Sequence, residues 1–378
     1  SGATPKTKDV DNYGGSIAWI TPADLSGYTS KYISHGSRNI TQKGYDSCST
    51  HLMPRGTVLF SSRAPIGYVA IAENPICTNQ GFKSIVPNDD IDSEFLYYQL
   101  QYLRKKIQEK GSGTTFKEIS GKVLGETDIV VPSLEEQSRI VARIEELFSE
   151  LDKAVDTLKT TKEQLEVYRQ TILVDAFRAA TNSTYLKVGC VCAKIVDCPH
   201  STPKWEKSGK LCLRTTNFKR GYLDLQSPNY VSEETFHDRN RRIIPQPGDV
   251  LYSREGSVLG IACTIPSNVY PCLGQRMMLL RSGEKLNNRY LMHYLNSPMV
   301  TNHVIATKGG TGSPHINVGD IKEFQIPIPS LEEQSSIVRQ IEEQLSSCDN
   351  VEKTVDAILT QADAMRQSIL KQAFEGTM

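Results

Sequence analysis

Over residues 133–179, and again over 330–376, apolar side chains recur at steps of four and three with polar and charged residues between them. The first stripe is Ile140, Ile144, Leu147, Leu151, Leu158, Leu165, Tyr168 and Ile172. The second is Ile337, Ile341, Leu345, Cys348, Val351, Val355, Ile358, Met365 and Ile369. This period belongs to an amphipathic helix, and no Gly or Pro interrupts either stretch before Arg178 or Phe374. A helix of about 44 residues would be roughly 66 Å long. The stripe is too narrow for burial all round and suits the seam of a coiled coil. Two such helices in one chain most simply pair with each other. Each opens on Pro-Ser-Leu-Glu-Glu-Gln, so Ser133 and Ser330 stand as N-caps with Glu136 and Glu333 completing capping boxes.

Outside these stretches the apolar runs are short. Residues 58–60, 69–72, 250–252 and 260–265 read as strands with Gly and Pro between them, and residues 93–108 and 288–301 read as helices. The chain therefore divides into a mixed α/β domain (1–132), a long helix (133–180), a second such domain (181–329) and a second long helix (330–378). The expected class is α+β, with the helices paired as an antiparallel coiled coil of approximate two-fold symmetry.

The organisation is a duplication. Aligned without gaps, residues 133–179 and 330–376 are identical at 21 of 47 positions. "ATPK" at Ala3 matches "STPK" at Ser201, "GTVLFSSRAPIG" at Gly56 matches "GDVLYSREGSVLG" at Gly248, and "NQGFKSIVP" at Asn79 matches "GQRMMLLRS" at Gly274. The globular halves have diverged while the helices have not, as expected of two variable readers on one constant frame. "TYLKVGCVCAKIVD" leads into the second domain, and nothing before Ser1 matches it. The first domain is thus expected to lack an opening strand or to borrow one.

Charge changes the picture only when divided. The net charge is zero over the chain, but +1 over 1–132, −3 over 133–180, +7 over 181–329 and −5 over 330–378. Basic globular parts suit phosphate, and acidic helices suit a protein partner; acidic helix surfaces are also common in their own right. Glu135, Glu136, Glu332 and Glu333 are candidates for partner contact, with capping and solubility as the plainer roles.

Little points to catalysis. No G-x-x-x-x-G-K-[ST] occurs, and no G-x-G-x-x-G lies between a strand and a helix. "GSGTT" at Gly111 and "GGTGS" at Gly309 follow helices and read as loops, either grazing phosphate or simply flexible. "SPNY" at Ser227 superficially matches a methyltransferase loop but lacks the glycine-rich cofactor motif upstream. The nine cysteines are scattered without a C-x-x-C pair, which suits a reducing cytoplasm. Cys190, Cys192, Cys198 and His200 lack the second paired motif zinc would want. No run of 18 apolar residues and no signal-peptide pattern is present. No metal or cofactor is expected.

The doubled helix opening, with "RQTILVDAF" and "RQSILKQAF" closing its copies, resembles the specificity subunit of a type I restriction–modification enzyme. "YGGSIAWITPADL" at Tyr13 and "CPHSTPKW…LRTTNF" at Cys198 resemble the openings of that family's target-recognition domains. The resemblance covers nearly the whole chain. It implies a non-catalytic, cytoplasmic subunit whose two domains each read half of an interrupted sequence in double-stranded DNA. Its coiled coil would fix the separation of the halves, and its partners would be two copies of the modification (methyltransferase) subunit and a motor–nuclease restriction subunit. ATP and the methyl donor would belong to those partners.

Readout of DNA needs Arg or Lys on phosphate and Arg, Asn, Gln, Ser or Thr on base edges. In the first domain the candidates are Lys6, Thr21, Asp24, Ser61, Ser62, Arg63, Asn79 and Gln80, with Lys83 and Lys117 for backbone contacts. In the second they are Lys204, Arg214, Thr215, Thr216, Asn217, Lys219, Arg220, Arg239, Arg241, Ser253, Arg254, Gln275 and Arg276. Any one of them alone could equally be a solvated surface charge or a turn residue. Two other classes remain open at this point: a coiled-coil scaffold that no longer reads DNA, and an enzyme such as a fused methyltransferase.

Overall fold

A computed structural model describes residues 2–113, 117–180, 183–256, 258–306 and 314–376. The glycine-rich loop at 309–313, and Thr114 and Thr115 of its counterpart, lie outside the described residues. The chain forms two compact units, one of Ser1–Leu158 with Ala357–Met378, the other Lys159–Asp356. Each unit takes one globular half and a segment of both long helices, which run over Leu134–Ala179 and Leu331–Phe374.

The helices pair in opposite senses within each unit. In the first unit Val141 and Ile144, near the start of one helix, share a core with Leu370 and Ala373, near the end of the other. Arg366 pairs with Asp152 and lies over the ring of Phe148 at 5.1 Å. In the second unit Lys162 bonds Asp356 at 2.7 Å, and Arg169 bonds Asp349 at 2.6 Å and Glu352 at 2.8 Å. There Ile172 shares a core with Ile341 and Cys348. Rising numbers on one helix meet falling numbers on the other, so the chain is α+β with an antiparallel helical frame.

Both N-caps form, but differently. Ser133 Oγ accepts from Glu136 N at 3.3 Å, while the Glu136 carboxylate turns to Arg139 (2.6 and 2.8 Å). The second copy has Ser336 in place of that arginine, so Glu333 turns back to Ser330 N and Oγ at 2.9 and 2.8 Å. The full reciprocal box exists only there. Its bonds to Ser330 hold the Glu333 carboxyl below the usual range.

The globular part of the first unit is built on two small sheets. Trp19–Ile20 runs parallel to Cys77–Thr78, and Val69–Ala72 lies between parallel Tyr32–Ile33 and antiparallel Val58–Phe60. The second unit repeats the parallel pair and the hairpin of Val58–Phe60 with Val69–Ala72, but its larger sheet is centred on Val250–Ser253, the counterpart of Val58–Phe60, with antiparallel neighbours on both sides. Lys210–Leu213 runs parallel to Cys272–Leu273, and Val250–Ser253 lies between Ala262–Thr264 and Met277–Ser282. It adds Cys192–Asp197 beside Met277–Ser282, and Thr184–Lys187 beside Gln325–Ile328. The corresponding stretches of the first unit, 83–87 and 127–131, have no such neighbours among the described residues. Val86 and Val130 there are 55% and 61% exposed, whereas Ile326 is buried.

Two expected helices are shorter than their periodicity suggests. The first is Ser93–Tyr102, followed by a separate Arg104–Glu109. The second stops at Asn296, because Pro298 forces Ser297 into extended backbone before Pro298–Ala306 begins.

Candidate nucleic-acid interface

Each globular half is fixed by the two helices of its own unit. Gln137 is fully buried. Its Nε2 donates to the carbonyls of Asp90 and Pro132, both at 2.8 Å, and its Oε1 accepts from Asp92 N at 2.8 Å. Gln334 repeats this with Lys285 and Pro329, both at 2.9 Å, and Asn287 N at 2.8 Å. Asp92 and Asn287 are the N-caps of Ser93–Tyr102 and Asn288–Asn296, so the glutamine of each opening motif locks its helix to a domain helix. At the other helix ends Phe374 packs on Phe95 and Tyr102, and Phe177 on Tyr290 and Tyr294. Sequence reasoning gave none of these residues a role.

On the first domain the candidate residues separate into two groups. Lys6, Gln80 and Lys117 are exposed, and Gln80 Oε1 accepts from Thr4 at 2.6 Å. Asn79 is half-buried and accepts from Gly81 N. Ser61 and Ser62 are buried: Ser61 Oγ closes the hairpin through Pro65 O and Tyr68 N, and Ser62 Oγ donates to Gly81 O. Arg63 and Lys83 both face Glu118, at 3.8 and 3.5 Å. Asp24 accepts from Thr21 and Ser37; burial opposes its ionisation, yet these bonds outweigh it and keep its carboxyl below the usual range.

The second domain divides the same way. Asn217 is buried and caps a short turn by accepting from Arg214 N at 2.8 Å. Ser253, the counterpart of Ser61, is buried and accepts from Ile261 N. Arg254 is 6% exposed and grips Asp197 through two bonds of 2.8 and 3.0 Å. Arg239 is also 6% exposed and donates to the carbonyls of Leu273, Pro199, Ser201 and Gly274. These side chains are occupied within the domain, so the expectation of base or phosphate contact does not extend to them. Arg241 is exposed and pairs with Asp238, and Arg220 donates to Asn296 O.

Arg239→Ala is expected to cost about 3 kcal/mol or more of stability, because a charged donor is lost and buried carbonyls are left unpaired. Arg241→Ala should stay within about 0.5 kcal/mol. Chemical denaturation of both variants checks this; equal midpoints would refute the structural role of Arg239.

What remains on the second domain is a set of exposed cations with no acidic partner among the described residues: Lys204, Arg214, Lys219 and Arg276. Thr215, half-buried, and Thr216, exposed, lie beside them. Arg214, Thr215, Gln275 and Arg276 line one recess of about 210 Å³ with Thr202, Pro203 and Trp205. Such a surface offers donors in excess of acceptors, as phosphate and the guanine edge require. Among the described residues no His, Cys, Asp and Glu side chains gather as a metal site, and no helix is long and apolar enough to cross a membrane.

The family model of the type I restriction modification DNA specificity domain matches residues 1–167 and 200–361. The MjaIX type I restriction enzyme specificity subunit of Methanocaldococcus jannaschii is 29% identical, over 91% of this chain and 84% of that protein. Two solved structures share the fold. One is a chain of a type I R-M system studied for complex assembly and conformational transition, with a TM-score of 0.72 and 20% identity over 99% of this chain and 95% of that one. The other is the HsdS subunit from Thermoanaerobacter tengcongensis, with a TM-score of 0.63 and 21% identity over 100% and 95%. With its model matched on both halves, the chain belongs to the type I restriction modification DNA specificity family.

Proposed function

We propose that this chain is the non-catalytic DNA-specificity subunit of a type I restriction–modification enzyme. Its domains at 1–132 and 181–329 each read one half of an interrupted target in double-stranded DNA. The helical frame docks two copies of the modification subunit, with a restriction subunit as a further partner, and the complex works in the cytoplasm. One observation carries the reading: the family model matches both halves of a chain whose two units attach diverged domains to the same frame. Matching helices suit two identical partners, and diverged domains suit an asymmetric target.

Binding to a cognate bipartite duplex should exceed binding to a scrambled one by a factor of at least about a thousand when the modification subunits are present. Affinity should fall steeply with salt, and Lys204→Ala should flatten the salt slope by about one without changing sequence preference. Equal affinity for bipartite and scrambled duplexes at moderate salt would refute the reading and favour a scaffold.

A further inference from the structure

Built on the reading just given, we propose that Arg276 and Arg214 form a guanine-reading subsite on the second domain, and that the first domain has no counterpart to it. The two domains share one structural position and differ in what they place around it. Each has the same parallel strand pair, Trp19–Ile20 with Cys77–Thr78 and Lys210–Leu213 with Cys272–Leu273. In each, the first strand runs into a short turn capped from three residues on, Asp24 to Thr21 N and Asn217 to Arg214 N. In each, a threonine bonds the glutamine that follows the second strand: Thr4 to Gln80 at 2.6 Å, and Thr202 to Gln275 at 3.2 Å. A lysine, Lys6 or Lys204, stands two residues after that threonine and is exposed.

Around this shared frame several positions differ, and three of them change a small side chain for a large aromatic or cationic one. Thr7, Thr21 and Gly81 in the first domain become Trp205, Arg214 and Arg276 in the second. Phosphate carries no sequence information, so residues that only grip the backbone can stay alike in both domains, whereas residues that read bases must differ. The lysine and the Thr–Gln pair belong to the first kind. The three changed positions belong to the second.

Their chemistry selects the base. Arg214 lies over the Trp205 ring at 5.4 Å, which holds its guanidinium without using up the N–H groups. Arg276 has a left-handed backbone (φ 65°), a costly state for a residue with a side chain and one that gathers at functional sites. Its backbone carbonyl accepts from Arg254 N at 3.0 Å, and its guanidinium passes so close to Gly256 that a Cβ there would lie 3.3 Å from Nη1. Both side chains therefore present only donors, from restrained positions, into one recess. Guanine alone shows two acceptors, O6 and N7, on its major-groove edge; adenine and cytosine show donors there, and thymine a single acceptor with a methyl group.

The test is selection from duplexes with both half-sites randomised, using the full chain assembled with its modification subunits. Wild type should select a bipartite consensus with guanine in one half. Arg276→Gly, which suits the left-handed backbone and copies Gly81, should lower the preference for that guanine roughly tenfold or more. Arg276→Lys should lower it equally while keeping the salt slope, since lysine retains the charge but not the fork. The other half-site should not change. An unchanged consensus in both variants would overturn the subsite, as would affinity loss that is uniform over sequences and rescued by lysine. Should wild type select no bipartite sequence at all, the proposed function fails and the subsite with it.

Discussion

Replacing Phe177 by alanine should destabilise the second unit by about 3–5 kcal/mol, among the larger costs of any single truncation in this chain. The ring is fully buried and meets Tyr290 and Tyr294 edge-on, each at 5.1 Å between centroids. It joins the core containing Leu291 and Ile341, so its removal opens a cavity where helix and domain meet. Phe374 has the same position in the repeat but is only partly buried, and Phe374→Ala should cost less. Urea denaturation of both variants gives the comparison. Equal small shifts would mean that the helix ends do not grip the domains.

The second large effect is expected at the glutamines of the opening motif. Gln334→Ala deprives Asn287 N and the carbonyls of Lys285 and Pro329 of a partner whose own side chain is fully buried. Each group left unpaired costs roughly 1–3 kcal/mol. Gln137→Ala should do the same through Asp92, Asp90 and Pro132. Hydrogen exchange is the informative measurement, because the loss should concentrate in the helix capped by Asn287 or Asp92. Uniform loss of protection would show that the glutamine contributes to general stability and not to docking.

These two side chains also mark where sequence reading stops. The helices, their caps and the duplication were legible because a long regular period and an internal copy are strong signals. The glutamine of the opening motif was not, since a polar residue in the first turn of a helix looks solvated. Its burial depends on carbonyls at 90 and 132, or at 285 and 329, that only the fold brings together. Arg239 failed in the opposite direction. In "DRNRR" it reads as surface charge, yet four carbonyls from residues 199–201 and 273–274 converge on it.

Ser61 and Ser253 read as base contacts because they occupy matching places beside basic residues. They match because each closes the same hairpin. The candidate surface was legible at Lys204, Arg214, Gln275 and Arg276, where no acidic side chain among the described residues pairs with the three cations. Trp205 was missed as a platform for Arg214, since a ring stacked on a residue nine positions away leaves no periodic trace.

In the proposed function the two domains act as separate readers on a common frame. Mapping methylated sites settles this directly when residues 1–132 are exchanged for the corresponding domain of another family member and the modification subunits are kept. The expected result is a new sequence in one half-site, with the other half-site and the number of bases between them unaltered. A change in both half-sites, or loss of the interrupted pattern, would contradict it.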